Sequence, residues 1–183
     1  MANCQQHIAS YSVQEVLRDG TTILVRTIRA DDKPRLLRHF QGLSARSLYY
    51  RFFGLKRSLT DDDLRRLTEL DLVNHVGLAA TMHFDGDEHF IGVGRYIRRD
   101  RLSSAEVAFA VLDEYQGHGI GTLLLKHLAR IARSNGIERL EADVMGGNQQ
   151  MLEVFMNSGF REEQSYESGV VHVSLYIDAE TDK

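Results

Sequence analysis

The sequence has 183 residues, of which 43% are hydrophobic and 26% charged, and its formal net charge is −4. This length fits one compact domain, and the mildly acidic balance argues against a nucleic-acid partner. Cys4 is the only cysteine, and no leader or membrane-spanning pattern is present, so we expect no disulfide, no membrane association and a cytoplasmic location.

The N-terminal third of the sequence predicts one strand and three helices. Residues 1–19 are polar, so we expect an irregular segment there and a fold that begins near Gly20. Thr60 with Asp63 three residues later predicts a capping box, which explains the neighbouring aspartates without a metal. The predicted elements are a strand at 22–29, helices at 31–42 and 44–53, and a helix that begins at Thr60.

The rest of the sequence alternates strands with helices. Apolar runs at 76–81 and 90–97 flank Asp85-Gly86, a hairpin signal, and we expect these strands to pair antiparallel. Ile120, Leu124, Leu128 and Ile131 place one apolar stripe on a helix that ends at Asn135-Gly136. Further strands are predicted at 106–112, 139–145 and 170–177, and a helix at 148–158.

This order predicts a single α/β (α+β) domain with a partly antiparallel sheet. We place the domain at 20–178, with a C-terminal tail at 179–183.

A glycine-rich loop joins the strand at 106–112 to the apolar helix. It runs from Gln116 to Thr122 and has glycine at Gly117, Gly119 and Gly121. Because glycine has no Cβ, the backbone N–H groups of such a loop can converge on phosphate oxygens at the positive end of a helix dipole. Thr122 stands where a dinucleotide fingerprint needs glycine, and no Lys-Ser/Thr pair follows as in a Walker loop. The loop therefore predicts a pyrophosphate site of another kind.

The loop and its flanks resemble the acetyl-CoA-binding core of the GCN5-related N-acetyltransferase (GNAT) family. The resemblance rests on Ala105–Val111, Gln116-x-x-Gly119-x-Gly121, Asn148 and Gly159-Phe160, and it covers nearly all of the predicted elements. It implies the GNAT fold, with a mixed, mostly antiparallel sheet of six to seven strands flanked by helices. It also implies acetyl-CoA as cosubstrate.

The resemblance implies which residues hold the coenzyme. These are the loop, free backbone groups at the end of the preceding strand, and Asn148, which can equally serve as an ordinary helix N-cap. By number they are Phe109, Ala110, Val111, Gln116, Gly117, His118, Gly119, Ile120, Gly121, Thr122 and Asn148. The histidines show no metal-ligand spacing, so we expect no metal.

Acetyl transfer to an amine requires a base, because a lysine amine has a pKa near about 10.4 and attacks only when unprotonated. Glu106 heads an otherwise apolar strand, where partial burial would raise its pKa, although a solvent-facing glutamate is equally consistent with the pattern. In the family this strand runs beside the pantetheine arm. The resemblance therefore makes Glu106 the implied base, acting through a water.

The family often protonates the departing thiolate with a tyrosine at the position that Phe155 occupies here. Phenylalanine cannot donate a proton, so we expect Phe155 to pack in the core. Tyr115, a water, or departure of the thiolate itself remain open, since a thiol has a pKa of roughly 8.5.

The acceptor is implied by a second part of the resemblance. Ser44–Phe53, Leu59-Thr60 and Ala105–Ala108 are similar to the catalytic module of bacterial protein lysine acetyltransferases that modify acyl-CoA synthetases. A protein lysine is thus the implied acceptor, and a homodimer is compatible with the family. A small amine acceptor (polyamine, aminoglycoside or amino acid) and a non-catalytic acetyl-CoA sensor remain alternatives.

Overall fold

The computed structural model describes residues 2–99 and 103–177, and for residues 2–5 only the backbone. Eight strands and six helices occur in these ranges. The strands are β1 (Ser12–Val16), β2 (Thr22–Thr27), β3 (His75–Phe84), β4 (Asp87–Arg98), β5 (Ser104–Val111), β6 (Arg139–Met145), β7 (Arg161–Glu167) and β8 (Val170–Tyr176). The helices are α1 (Ala2–Ala9), α2 (Lys33–Gly42), α3 (Ala45–Phe52), α4 (Asp61–Thr68), α5 (Ile120–Ser134) and α6 (Gln149–Met156).

The eight strands form one sheet in the order β1-β2-β3-β4-β5-β6-β8-β7. Neighbouring strands pair antiparallel, apart from β5 and β6, which are parallel and are connected through α5. The β5–β6 pairing covers only Ser104–Glu106 on β5, although that strand continues to Val111. The sheet therefore opens in its middle, beyond Glu106.

The helices cover both faces of the sheet. The apolar stripe of α5 and Phe155 of α6 are buried in one core with the β5 side chains Val107 and Phe109. On the other face, Leu36 of α2 and Leu64 of α4 pack against β3 and β4. Since β-strand side chains alternate between faces, Glu106, Ala108 and Ala110 point to the α2–α4 side.

Local signals in the sequence are confirmed by the structure. Ser44 caps α3, and Thr60 and Asp63 form the predicted capping box, with backbone N–H to side-chain oxygen distances of 3.1 and 3.0 Å. Asp85 and Gly86 have φ of 51° and 86° in the turn between β3 and β4, as an Asp-Gly hairpin turn requires. The predicted strand at 139–145 is β6.

The prediction of an irregular segment at 1–19 is wrong, because α1 and β1 lie there. Ile8 and Leu17 are buried in the core, and β1 pairs with β2 along its whole length. The strand β7 was also not predicted, and the sheet accordingly has eight strands rather than six to seven. Both β1 and β7 are edge strands with largely exposed side chains, so they lack the apolar alternation that predicts a strand.

Within the ranges that the structure describes, no helix is long and apolar enough to cross a membrane. The predicted tail at 179–183 lies outside those ranges.

Candidate active site

A cavity of about 630 Å³ lies where β5 and β6 separate. Its lining includes every predicted site residue except His118. The walls are the open edge of β5, the glycine loop with the start of α5, the β6–α6 region, and α3.

The open edge of β5 turns backbone groups that do not pair with β4 towards this cavity. Leu112 donates its N–H to the carbonyl of Ile91, which makes 112 and 91 a hydrogen-bonded pair of the antiparallel β4–β5 ladder. Because hydrogen-bonded and non-bonded pairs alternate, Ala110 lies in a bonded pair with Val93, whereas Phe109 and Val111 direct their N–H and C=O groups away from β4. Phe109 and Val111 thus direct backbone groups to the opening, but Ala110 does not. Its backbone groups are turned to β4, and the expectation of a free N–H there is wrong.

Two different structural requirements explain the three glycines of the loop. Gly117 and Gly119 have φ of +79° and +88°, a conformation that other residues rarely adopt. Gly121 lies in α5, where an added Cβ would come within 3.0 Å of Val154 Cγ2, so it allows α5 to approach α6. In the described part of the chain, no protein acceptor takes a hydrogen bond from the backbone N–H groups of 117–122.

These N–H groups are those that a helix start leaves free, and they lie at the positive end of the α5 dipole. The lining therefore fits a pyrophosphate. The His118 side chain is not part of it: Nδ1 lies 3.0 Å from the carbonyl of Gln116, and Nε2 lies 3.8 Å from Asp19. Asn148 accepts a hydrogen bond from Met151 N–H and so caps α6, while it also lines the cavity.

Arg18 is a lining residue that sequence reasoning missed. It belongs to the β1–β2 turn, which lies in the segment that was expected to be irregular, and its side chain is exposed. The next residue, Asp19, lies beside His118 of the glycine loop. The turn therefore places a positive charge beside the loop that fits a pyrophosphate.

The helix α3 forms the opposite wall and is tied to the glycine-loop side of the cavity. Asp113 accepts hydrogen bonds from the N–H and Oγ of Ser44 at 3.0 and 2.7 Å, and from Ser47 Oγ at 3.0 Å. Although burial alone would raise the pKa of Asp113, these hydrogen bonds hold it below its usual value. Gln116 Nε2 donates both to Ser47 Oγ at 3.1 Å and to the Val111 carbonyl at 3.0 Å. The Gln116 side chain thus joins α3 to the open edge of β5.

A further bond crosses to the far side of the cavity. The Tyr50 hydroxyl donates to the carbonyl of Gly147, in the loop between β6 and α6, at 3.0 Å. The helix α3 is therefore anchored to both strands that frame the opening.

Glu106 is the β5 lining residue farthest along the strand from the glycine loop, and it is the last residue of the β5–β6 pairing. Its side chain is 56% exposed and forms an ion pair with Arg99 at 3.2 Å. The expected partial burial of Glu106 is therefore wrong, because the even-numbered face of β5 is open to solvent at this position.

Phe155 is 1% exposed and contacts Phe109 edge to face, with ring centroids 6.3 Å apart, which confirms the predicted packing role. Tyr115 also lines the cavity, and burial together with the nearby Glu114 raises the pKa of its hydroxyl. Among the described residues, no group of three or more His, Cys, Asp and Glu side chains is placed to hold a metal ion.

Comparison with known proteins agrees with this geometry. The S. lividans PAT GNAT domain has a crystal structure that superposes with a TM-score of 0.81 at 39% identity, over 90% of this chain and 96% of that domain. Acetyltransferase PA5475 of Pseudomonas aeruginosa is 29% identical over 80% of this chain and 78% of its own length. Acetyltransferase Pat of Mycolicibacterium smegmatis is 31% identical over 78% of this chain, but the match spans only 42% of Pat.

A more distant structure shares the fold alone. The structure of yncA from Salmonella typhimurium, described as a putative acetyltransferase with its cofactor acetyl-CoA, superposes with a TM-score of 0.66 at 18% identity, over 87% of this chain and 98% of that one. The sequence profile of the acetyltransferase (GNAT) family matches residues 43–160, which include α3, the glycine loop and α6. The chain therefore belongs to the GNAT family of acetyltransferases and has the GNAT fold.

Proposed function

We propose that this acetyltransferase moves the acetyl group of acetyl-CoA to the side-chain amine of a protein lysine, by direct attack of the amine. One observation carries the proposal: a single cavity leads from the free N–H groups of the glycine loop, along the open edge of β5, to the carboxylate of Glu106. These features supply an anion site, a hydrogen-bonding channel and a base, in that order.

The coenzyme half of the proposal rests on the loop and on β5. The N–H groups of Gly117 to Thr122 suit the pyrophosphate, with Arg18 nearby as a counter-charge. The outward N–H groups of Phe109 and Val111 and the outward carbonyl of Phe109 suit the amides of a pantetheine arm, while the Val111 carbonyl accepts from Gln116. Bound acetyl-CoA supplies a thioester whose carbonyl carbon accepts the amine. Donors on β5 would stabilise the negative charge that develops on the carbonyl oxygen.

The proton balance assigns a role to Glu106. A lysine amine that forms the new N–C bond must lose a proton, and the C–S bond breaks with release of coenzyme A as a thiol or thiolate. The exposed carboxylate of Glu106 can take the amine proton, directly or through a water, and pass it to solvent. Arg99 holds this carboxylate through its ion pair.

The proposal of a protein lysine as acceptor rests on the surface of α3 at the edge of the cavity and on the similarity to the two Pat proteins. Tyr49, Phe53 and Leu55 are apolar side chains exposed on α3 and just after it, and Phe53 also lines the cavity. Exposed aromatic and aliphatic side chains at the edge of a site suit contact with a protein surface.

The test uses radiolabelled acetyl-CoA, a bacterial lysate, and two matched variants. Glu106→Gln removes the proposed base. Glu141→Gln is the control, because Glu141 lies opposite Glu106 on β6 and also pairs with Arg99, at 3.5 Å, but does not line the cavity. Acetyl-CoA affinity is measured separately by calorimetry for all three proteins.

We expect label in specific lysate proteins with the wild type and with Glu141→Gln, and little label with Glu106→Gln, while all three bind acetyl-CoA. If label appears only in small molecules, the acceptor is a small amine and not a protein lysine. Binding of acetyl-CoA without any transfer by the wild type would contradict catalysis.

A further inference from the structure

The acceptor end of the cavity contains a cation that its protein surroundings do not neutralise. Arg51, the penultimate residue of α3, lines the cavity together with Glu106 and Phe53. Its guanidinium lies over the ring of Phe52, with Cζ 5.1 Å from the ring centroid. Within residues 2–99 and 103–177, the Arg51 side chain makes no hydrogen bond and no ion pair. No described protein group accepts from its five N–H donors.

A second guanidinium lies behind the first. Arg95 of β4 is only 5% exposed, and its acceptors are the carbonyl of Leu67 at 3.5 Å and His75 Nε2 at 3.3 Å. None of the described carboxylates lies within ion-pair distance of it. Burial, with a smaller contribution from the positive charge of Arg51, lowers the pKa of Arg95 to about 9, so the two guanidinium groups repel each other.

The surrounding charges do not balance this pair. Burial and Arg95 lower the pKa of His75 to about 4, so it is neutral at physiological pH. Glu106 attracts Arg51, which partly opposes the effect of burial in lowering the pKa of Arg51, but its carboxylate is bound to Arg99. Asp71 is turned to the backbone N–H groups of Val73, Asn74 and His75.

Arg51 interacts electrostatically with Glu106, which lies along β5 from the glycine loop and hence from the proposed phosphate site. The strand β5 runs from Glu106 to Val111 before the glycine loop begins, and five residues of strand span about 17 Å. The bonds of α3 to Asp113, Gln116 and Gly147 fix the helix that carries Arg51 against the cavity. The unpaired charge therefore belongs to the acceptor side.

We propose that Arg51, with the buried charge of Arg95 behind it, forms a carboxylate-binding subsite, and that the preferred acceptor lysine has an aspartate or glutamate next to it in sequence. This inference rests on the proposed function and names its substrate class. A guanidinium fork binds a carboxylate through two parallel hydrogen bonds, which would fix the acceptor while its amine lies at Glu106. The same charges disfavour polycationic acceptors such as polyamines and aminoglycosides.

The test compares peptides that have blocked termini and a single lysine. One has aspartate or glutamate beside the lysine, and its partner has asparagine or glutamine at the same positions. The measured quantity is the ratio of kcat/KM for the acidic peptide to that for the amide peptide. It is determined for the wild type, Arg51→Gln, Arg51→Lys, and the control Arg57→Gln, which removes an exposed charge outside the cavity.

We expect a ratio of about tenfold or more for the wild type and for Arg57→Gln, since hydrogen bonds to charged groups contribute about 1.5–3 kcal/mol. The ratio should fall close to one in Arg51→Gln and to an intermediate value in Arg51→Lys, which keeps the charge but loses the fork. If Arg51→Gln does not fold, the wild-type ratio at low and high salt decides instead, because a charged subsite loses selectivity as salt rises.

The outcomes separate this inference from the proposed function. Acetylation of all lysine peptides at one rate overturns the subsite and leaves the lysine acceptor intact, as does a ratio that Arg51→Gln does not change. The enzyme could instead acetylate free amino acids faster than their amides and faster than every peptide, with the same dependence on Arg51. That result would support the carboxylate subsite and overturn the protein acceptor. Transfer to none of these amines overturns both.

Discussion

Replacing Gly119 by alanine tests whether the glycine loop serves the coenzyme or only makes a turn. Gly119 has φ of +88°, and an added Cβ would meet no protein atom within 4 Å, so the folded state is strained only through its backbone. A left-handed conformation costs a residue with a Cβ about 1–2 kcal/mol. In a domain of this size we expect the melting temperature to fall by about 2–8 °C.

Gly86→Ala is a matched control for this change. Gly86 has φ of +86°, an added Cβ there also meets nothing within 4 Å, and it lies in the β3–β4 turn outside the cavity. Both variants should lose similar stability, but only Gly119→Ala disturbs the N–H groups that we propose bind the pyrophosphate. Loss of one charge-assisted hydrogen bond, about 1.5–3 kcal/mol, weakens acetyl-CoA binding by about tenfold to a hundredfold. Equal acetyl-CoA affinities of the two variants by calorimetry would refute the phosphate role.

Two further changes test the framework around the cavity. Asp113→Ala removes three hydrogen bonds that hold the start of α3, so backbone amides of Ala45–Phe52 should exchange hydrogen faster and the acceptor KM should rise severalfold; unchanged amide protection would contradict this anchoring. Glu88→Gln removes a carboxylate whose pKa is lowered to about 2, first of all by its hydrogen bonds to Arg26. Because this pKa is lower in the folded than in the unfolded state, the stabilisation is complete above about pH 4.3 and is lost as pH falls towards 2. Urea unfolding should therefore show the largest difference between wild type and Glu88→Gln near pH 7 and a shrinking one below pH 4, whereas a difference that does not vary with pH would exclude this role.

Signals that depend on a few neighbouring residues were readable from the sequence. The helix start at Ser44, the Thr60–Asp63 capping box and the Asp85-Gly86 turn each need only local hydrogen bonds or a left-handed backbone, and all three are observed. The glycine loop was found for the same reason, since Gly117 and Gly119 have the positive φ that such a turn demands.

Features that depend on strand pairing were not readable. The register between β4 and β5 decides which β5 residues direct their backbone groups to the opening. In this register Phe109 and Val111 do so and Ala110 does not, and a register shifted by one residue would reverse this. The exposure of Glu106 depends on what covers its face of the sheet. The repulsion between Arg51 and Arg95 involves residues of α3 and β4 that no local pattern connects. Edge strands β1 and β7 are stabilised by backbone pairing, which their side chains do not reveal.

The proposed mechanism requires that Glu106 accepts the amine proton at the end of a coenzyme channel. The most direct test measures kcat/KM for acetyl transfer against pH for the wild type and Glu106→Gln, with an acceptor protein identified by lysate labelling, and acetyl-CoA affinity in parallel. For Glu106→Gln we expect unchanged acetyl-CoA affinity and a loss of about 10²- to 10⁴-fold in kcat/KM at neutral pH, with partial recovery as rising pH deprotonates the amine. Wild-type rates in Glu106→Gln at every pH would contradict the mechanism.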